Sequence, residues 1–237
     1  MSRINTEPSR WLIVALYAIT MAWVEAAAVY YLRTLVDRIE PYQPDPLPIS
    51  TGLGEAELIR ELATLLMLFA VGWLAGTTWR RRLGYATMAF GIWDIFYYVF
   101  LRFMTGWPKS LSDWDILFLI PLPWWGPVWA PTSIALLMIL WGTFVTQFER
   151  FTVPAGSNWK SFALGSAGAV LALFVFMADA LRTADQGKEA LRAMLPVRFN
   201  WPLFGLALML MALPVAEAAR QELRARRKVE SRRESIR

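Results

Sequence analysis

The chain has 237 residues, 57% of them hydrophobic, with a mean hydropathy of +0.38 and a net charge of +5. It holds no cysteine and no histidine, which excludes disulfides, thiolate nucleophiles, iron–sulfur clusters, haem b, histidine-ligated metal sites and serine–histidine triads. Eight of the 24 basic residues lie between Arg220 and Arg237, a distribution suited to anionic lipid headgroups and not to a nucleic-acid-binding face.

Met1 to Arg10 is polar, and the apolar run after it is of full span length, so it is expected to remain as a helix and not to be cleaved as a signal peptide. A helix needs about 20 mostly apolar residues to cross the hydrocarbon core. Six stretches qualify: Trp11 to Leu32, Leu58 to Thr78, Leu83 to Phe103, Thr132 to Phe148, Ser161 to Leu181 and Pro202 to Ala219. The expectation is an all-α polytopic bundle of about six transmembrane helices, one domain over residues 1–219, followed by a basic cytoplasmic tail over 220–237. In the tail, Glu222, Glu230 and Glu234 among the basic residues can extend the last helix.

Orientation follows from lysine and arginine, which cytoplasmic loops retain. With the N-terminus inside, the inner segments carry 15 of the 24 basic residues, including Arg3, Arg10, Arg80 to Arg82, Arg150 and Lys160, and the outer segments carry nine. N-in and C-in is therefore expected, in a bacterial cytoplasmic membrane.

The first outer loop, Glu40 to Pro48, has four prolines and reads as an extended spacer. The connection from Trp107 to Pro131 is too apolar for an ordinary loop. A short helix capped by Ser112 or Asp113 is expected through Ile120, ended by Pro121 and Pro123. It is too short to span, which leaves an interfacial helix anchored by tryptophans, a re-entrant segment, or one part of a discontinuous span with the fourth helix.

Two outward-running helices share a local pattern. Trp23 and Glu25 are followed by Tyr30, Tyr31, Leu32 and Arg33; Trp93 and Asp94 are followed by Tyr97, Tyr98, Leu101 and Arg102. Either a parallel repeat of helix pairs or the ordinary interfacial preference for tyrosine and arginine explains it. Gly72 with Gly76, and Gly165, Ser166 and Gly168, are small residues suited to close helix packing.

Asp94, Tyr98 and Arg102 are four apart and share one helix face. A carboxylate at mid-membrane depth is costly, so Asp94 and Glu25 are expected to face the bundle interior, protonated or paired. Arg102 is the expected partner of Asp94 and Arg33 that of Glu25. Glu25, Asp94, Tyr98 and Arg102 thus form a candidate intramembrane polar site, and Asp113, Asp115 and Asp179 a candidate outer-face site. Glu57 and Glu61 read as the charged outer edge of the second helix, and Glu217 with Arg220 as an interfacial pair.

No catalytic residue is identifiable, no metal site is expected and no cofactor is indicated. Three functions remain open. The first is a small transporter or ion- or proton-handling protein with its carboxylate site in the outer half. The second is an intramembrane enzyme acting on a lipid or isoprenoid by carboxylate and tyrosine acid–base chemistry. The third is a non-catalytic accessory subunit whose partner is another membrane protein. All three share the bilayer as partner, with anionic lipid at the C-terminal tail.

Overall fold

The computed structural model describes residues 7–44, 51–147 and 159–234. Arg3, the Asp45 to Pro48 part of the proline-rich loop, Phe148 and Arg150 lie outside the described residues. Among the described residues there are seven α-helices: α1 (Glu7–Leu35), α2 (Thr51–Ala75), α3 (Trp79–Thr105), α4 (Trp129–Gln147), α5 (Trp159–Thr183), the short α6 (Lys188–Ala193) and α7 (Trp201–Glu234). Between α3 and α4 stands a two-stranded antiparallel hairpin, β1 (Trp114–Phe118) and β2 (Trp124–Pro127).

Five helices, α1, α2, α4, α5 and α7, are long and apolar enough to cross a membrane, and the protein is a multi-pass membrane protein. Their large apolar side chains, such as Leu12, Leu16, Ile59, Leu74 and Val170, point outward, half or more exposed, as lipid-facing surfaces require. The sixth long helix, α3, falls outside that set, with Arg80 to Arg82, Asp94 and Arg102 along it. It can carry these charges because it sits at the centre, packed on α1, α2 and α4, where neighbours rather than lipid surround it. α5 and α7 form a second pair that joins this group through α4 and β2.

Close approach between the helices depends on small residues. A Cβ on Gly142 of α4 would meet the Gly84 carbonyl of α3, and one on Gly72 of α2 would meet the Ala86 backbone of α3. Gly76 lies against the backbone at Arg81 and Arg82, in the tight connection from α2 to α3. On α5, Gly165 meets Pro214 and Gly168 meets the Ala207 carbonyl. The small-residue faces read from the sequence therefore pack within the chain.

The starts of α1 and α3 and the end of α4 meet at one end of the bundle, the basic end. There Glu7 takes Arg81 at 2.6 Å, the Tyr85 hydroxyl at 2.7 Å and Arg10 at 3.3 Å, while Trp11 Nε1 donates to Thr143 at 3.1 Å. Above this cluster α1 and α3 are tightly packed on each other. Val14, Ala18, Ala22, Tyr85, Met88 and Ala89 are almost fully buried.

The short helix expected over Ser112 to Ile120 is not formed; the segment is a β-hairpin. Asp113 caps a turn instead of a helix, accepting the Lys109 amide at 2.7 Å and the Ser110 amide at 3.3 Å. Trp114 to Phe118 then pairs with Trp124 to Pro127. Aromatic and β-branched side chains favour a strand. Pro121 and Pro123, expected to break a helix, instead sit in the turn between the strands, where their missing N–H groups are an advantage.

The segment is re-entrant between the helices. Phe118 stacks against Phe90 of α3 at 6.2 Å, and Phe90 lies 15 residues before Thr105, about 22 Å below the end of α3 at ~1.5 Å per residue.

The α3–α4 contact generates a direct test. Gly142→Val should destabilise the protein by about 1–3 kcal/mol and lower its thermal unfolding midpoint in detergent. Gly205→Ala, where nothing lies within 4 Å of the added Cβ, should leave the midpoint unchanged or raised.

Candidate functional site

The hairpin divides the interior. Its β2 side faces α5, where Trp124 lies parallel to Phe176 and a Cβ on Gly126 would come within 2.9 Å of the Phe176 ring. Its other edge, Ile116 to Leu119, faces α1, α2 and α3. A register shift between Ile116 and Phe118 leaves Leu117 unpaired in the strand, and this bulge turns the strand into a wall. Behind it is a cavity of about 110 Å³.

The cavity exists because α1 and α2 both pack on α3 but touch each other little. Its deep end is lined by Trp93, Asp94 and Tyr97 of α3, Glu25 of α1 and Phe118 of β1. Its outer end is lined by Val36, Arg38 and Pro41, beyond the end of α1. It thus rises from mid-helix depth toward the hairpin end, while the tightly packed core below Trp93 closes it toward the basic end. Asp94 is 11 residues from the end of α3 and Glu25 ten from the end of α1, roughly 16 and 15 Å down by helical rise. The two acids are level.

Each charged group has a definite position. Arg60 of α2 pairs with both Glu25 and Glu57, and Thr64, one turn along the same face, donates to Glu25 at 3.0 Å. Glu61 takes the backbone N–H of Leu119, at the hairpin turn, on both oxygens at 3.0 and 2.9 Å. Arg33 of α1 donates to Asp115 of β1 at 2.8 Å and to the Ile39 carbonyl at 3.2 Å, and lies 4.4 Å over the Trp107 ring. Asp115 is fully buried, and its Oδ2 has no hydrogen-bond partner among the described residues. Asp94 is 8% exposed, and its Oδ2, like the neighbouring Trp93 Nε1, has no hydrogen-bond partner among the described residues.

Of the residues singled out in the sequence, Glu25, Asp94 and Tyr98 line this one cavity, with Asp115 directly behind it. Arg102 does not reach it. Gly106 takes a left-handed conformation, φ 76°, to end α3, and Arg102 bends over that end to donate to the Gly106 and Pro108 carbonyls. Asp113 is spent on its turn. Asp179 pairs with Arg182 at 3.0 Å at the far end of α5, away from the cavity lining. Outside the spans, Glu40 meets Lys109 at 2.6 Å and holds its ammonium above the ordinary lysine range.

Three expectations are corrected. Arg102 serves backbone carbonyls and not Asp94. Arg33 serves Asp115 and not Glu25. Glu57 and Glu61 are not an outer edge, because α2 begins at Thr51 and places both acids in its second and third turns, facing the interior. Arg60 was missed altogether. The signal was present in the spacing of Glu57, Arg60, Glu61 and Thr64, a polar stripe on one helix face.

The two copies of the apparent repeat also differ in environment. Trp93 and Tyr98 are buried, whereas Trp23 and Tyr31 are exposed to 44% and 62%.

The fold and this cavity define a multi-pass membrane protein with a half-open polar chamber behind a re-entrant hairpin. No known protein family, curated protein or solved structure matches the chain.

The Arg33–Asp115 pair ties the hairpin to α1. Arg33→Met leaves a buried carboxylate unpaired and should cost about 3–5 kcal/mol. Arg33→Met combined with Asp115→Asn should recover much of that loss in thermal unfolding; equal losses in the two variants would contradict the pairing.

Proposed function

We propose that the chain is a small ion-handling protein of the transporter type, and that the cavity is its proton- or cation-binding site. The observation that carries this reading is Asp94, buried with an unpartnered oxygen in a chamber where carboxylates outnumber guanidinium groups. Glu25, Glu57, Glu61, Asp94 and Asp115 face Arg33, Arg38 and Arg60. Were all eight ionised, two negative charges would remain uncompensated in a low-dielectric space, at a cost of several kcal/mol each. A bound proton or cation removes that cost.

The arginines are committed to fixed partners. Arg60 is held by Glu25 and Glu57, Arg33 by Asp115, and Arg38 donates to the Pro44 carbonyl at 2.5 Å. Asp94 is the acid left to bind reversibly. Glu25 and Tyr98 complete the site, while Arg102, Asp113 and Asp179 serve local structure.

In this reading the protein lies in a bacterial cytoplasmic membrane with the basic end inside, so the chamber faces outward. The bundle acts as one unit. The tail from Arg220 binds anionic lipid at the inner surface, supported by its eight basic residues.

Reconstitution in liposomes with an internal pH-sensitive dye tests the reading under imposed proton and cation gradients. Wild-type protein should collapse a gradient, Asp94→Asn should fall to the level of protein-free liposomes, and Arg102→Ala should retain flux. Asp94→Asn flux equal to wild type would overturn the assignment.

A further inference from the structure

We propose that the chamber binds a small organic ammonium ion, a cation carrying its own hydrocarbon, in preference to an inorganic ion. The inference rests on the reading of Asp94 as a cation-binding acid and names what that acid receives.

Inorganic cations fit poorly. Divalent ions need several oxygen ligands converging at short range, and among the described residues no group of three or more Asp or Glu is placed to hold a metal ion. Glu25 is occupied by Arg60 and Thr64, and both Glu61 oxygens by the Leu119 amide. Among the carboxylates that line the cavity, that of Asp94 alone takes no hydrogen bond or ion pair from the described residues, its Oδ2 buried and unpartnered; the other unpartnered carboxylate oxygen, Oδ2 of Asp115, lies behind the wall.

The remaining wall is aromatic and aliphatic. Trp93 stacks with Tyr97, centroids 6.0 Å apart, and contacts Phe118 at 6.4 Å, and all three rings line the cavity together with Val29 and Leu32. Aromatic faces attract a cation and accept the alkyl groups around it, and they do so best where water is excluded. Inorganic ions would have to shed water against these same surfaces with too few oxygens in return.

Size narrows the class. At about 110 Å³ the cavity is well below the roughly 300–1,000 Å³ of pockets for drug-sized ligands. A methylated or primary ammonium with a short substituent fits; a long polyamine does not.

The test is equilibrium binding of radiolabelled choline, used as probe, to the full chain in nanodiscs. Saturable binding is expected, displaced by tetramethylammonium but not by sodium, potassium or the uncharged analogue 3,3-dimethylbutanol. Asp94→Asn and Trp93→Leu should each weaken it about tenfold or more, while Trp93→Phe, which keeps a π face, should retain most of it. Unchanged thermal midpoints in the variants would show that the fold survives.

Displacement by the uncharged analogue as strong as by tetramethylammonium would overturn the inference. So would absence of saturable binding by wild type. If Asp94-dependent proton or cation flux persists in that case, the ammonium assignment alone fails; if that flux is absent too, the site reading fails with it.

Discussion

An open backbone segment between membrane helices has to find hydrogen-bond partners in protein, because lipid offers none. Here that constraint falls on the hairpin turn from Leu119 to Pro123, and Glu61 meets it by accepting the Leu119 amide on both oxygens. The two prolines remove two further donors from the same turn. Much of the architecture follows: α2 has to carry an acid inward at that depth, α2 has to stand apart from α1 to admit the strand, and the gap left between them is the chamber. The flanks of the hairpin are held by Arg33 on Asp115 and by the ring of Phe176 against Gly126.

A buried acid in turn demands compensation, and the charged residues read as a chain of such demands. Arg60 answers Glu25 and Glu57, and Arg33 answers Asp115. Asp94 stands at the end of the series with no cation of its own. An ordinary structural network closes on itself, since half-satisfied buried polar groups are costly. This one is left open at the wall of a cavity, which is the physical reason to read it as a binding site.

The lipid-facing helices were legible from the sequence because long apolar runs have few alternatives. Helix starts were not. Gly52 to Glu57 reads as a polar approach to a span, yet it is already helical, so Glu57 and Glu61 were set at an edge when they lie inside. The hairpin was misread because a short apolar run does not distinguish helix from strand; the prolines located the break and not its shape.

The candidate site was half legible. Depth along α1 and α3 put Glu25 and Asp94 within one helical turn of each other, and the structure brings them to one cavity. The four-residue stripe carried Arg102 along with Asp94 and Tyr98, but Arg102 is in the last turn of α3, where the Gly106 and Pro108 carbonyls just past the helix end claim it. Which arginine enters a chamber depends on tertiary neighbours, and Arg60 arrives from a helix the stripe argument never touched.

The chamber opens at the hairpin end, and the absence of native cysteine makes that opening directly measurable. A single Leu32→Cys on the chamber wall can be challenged with a membrane-impermeant thiol reagent from either side of sealed vesicles, with Arg81→Cys marking the basic side. Leu32→Cys should be labelled only from the side opposite Arg81→Cys. Labelling from the same side as Arg81→Cys would contradict it.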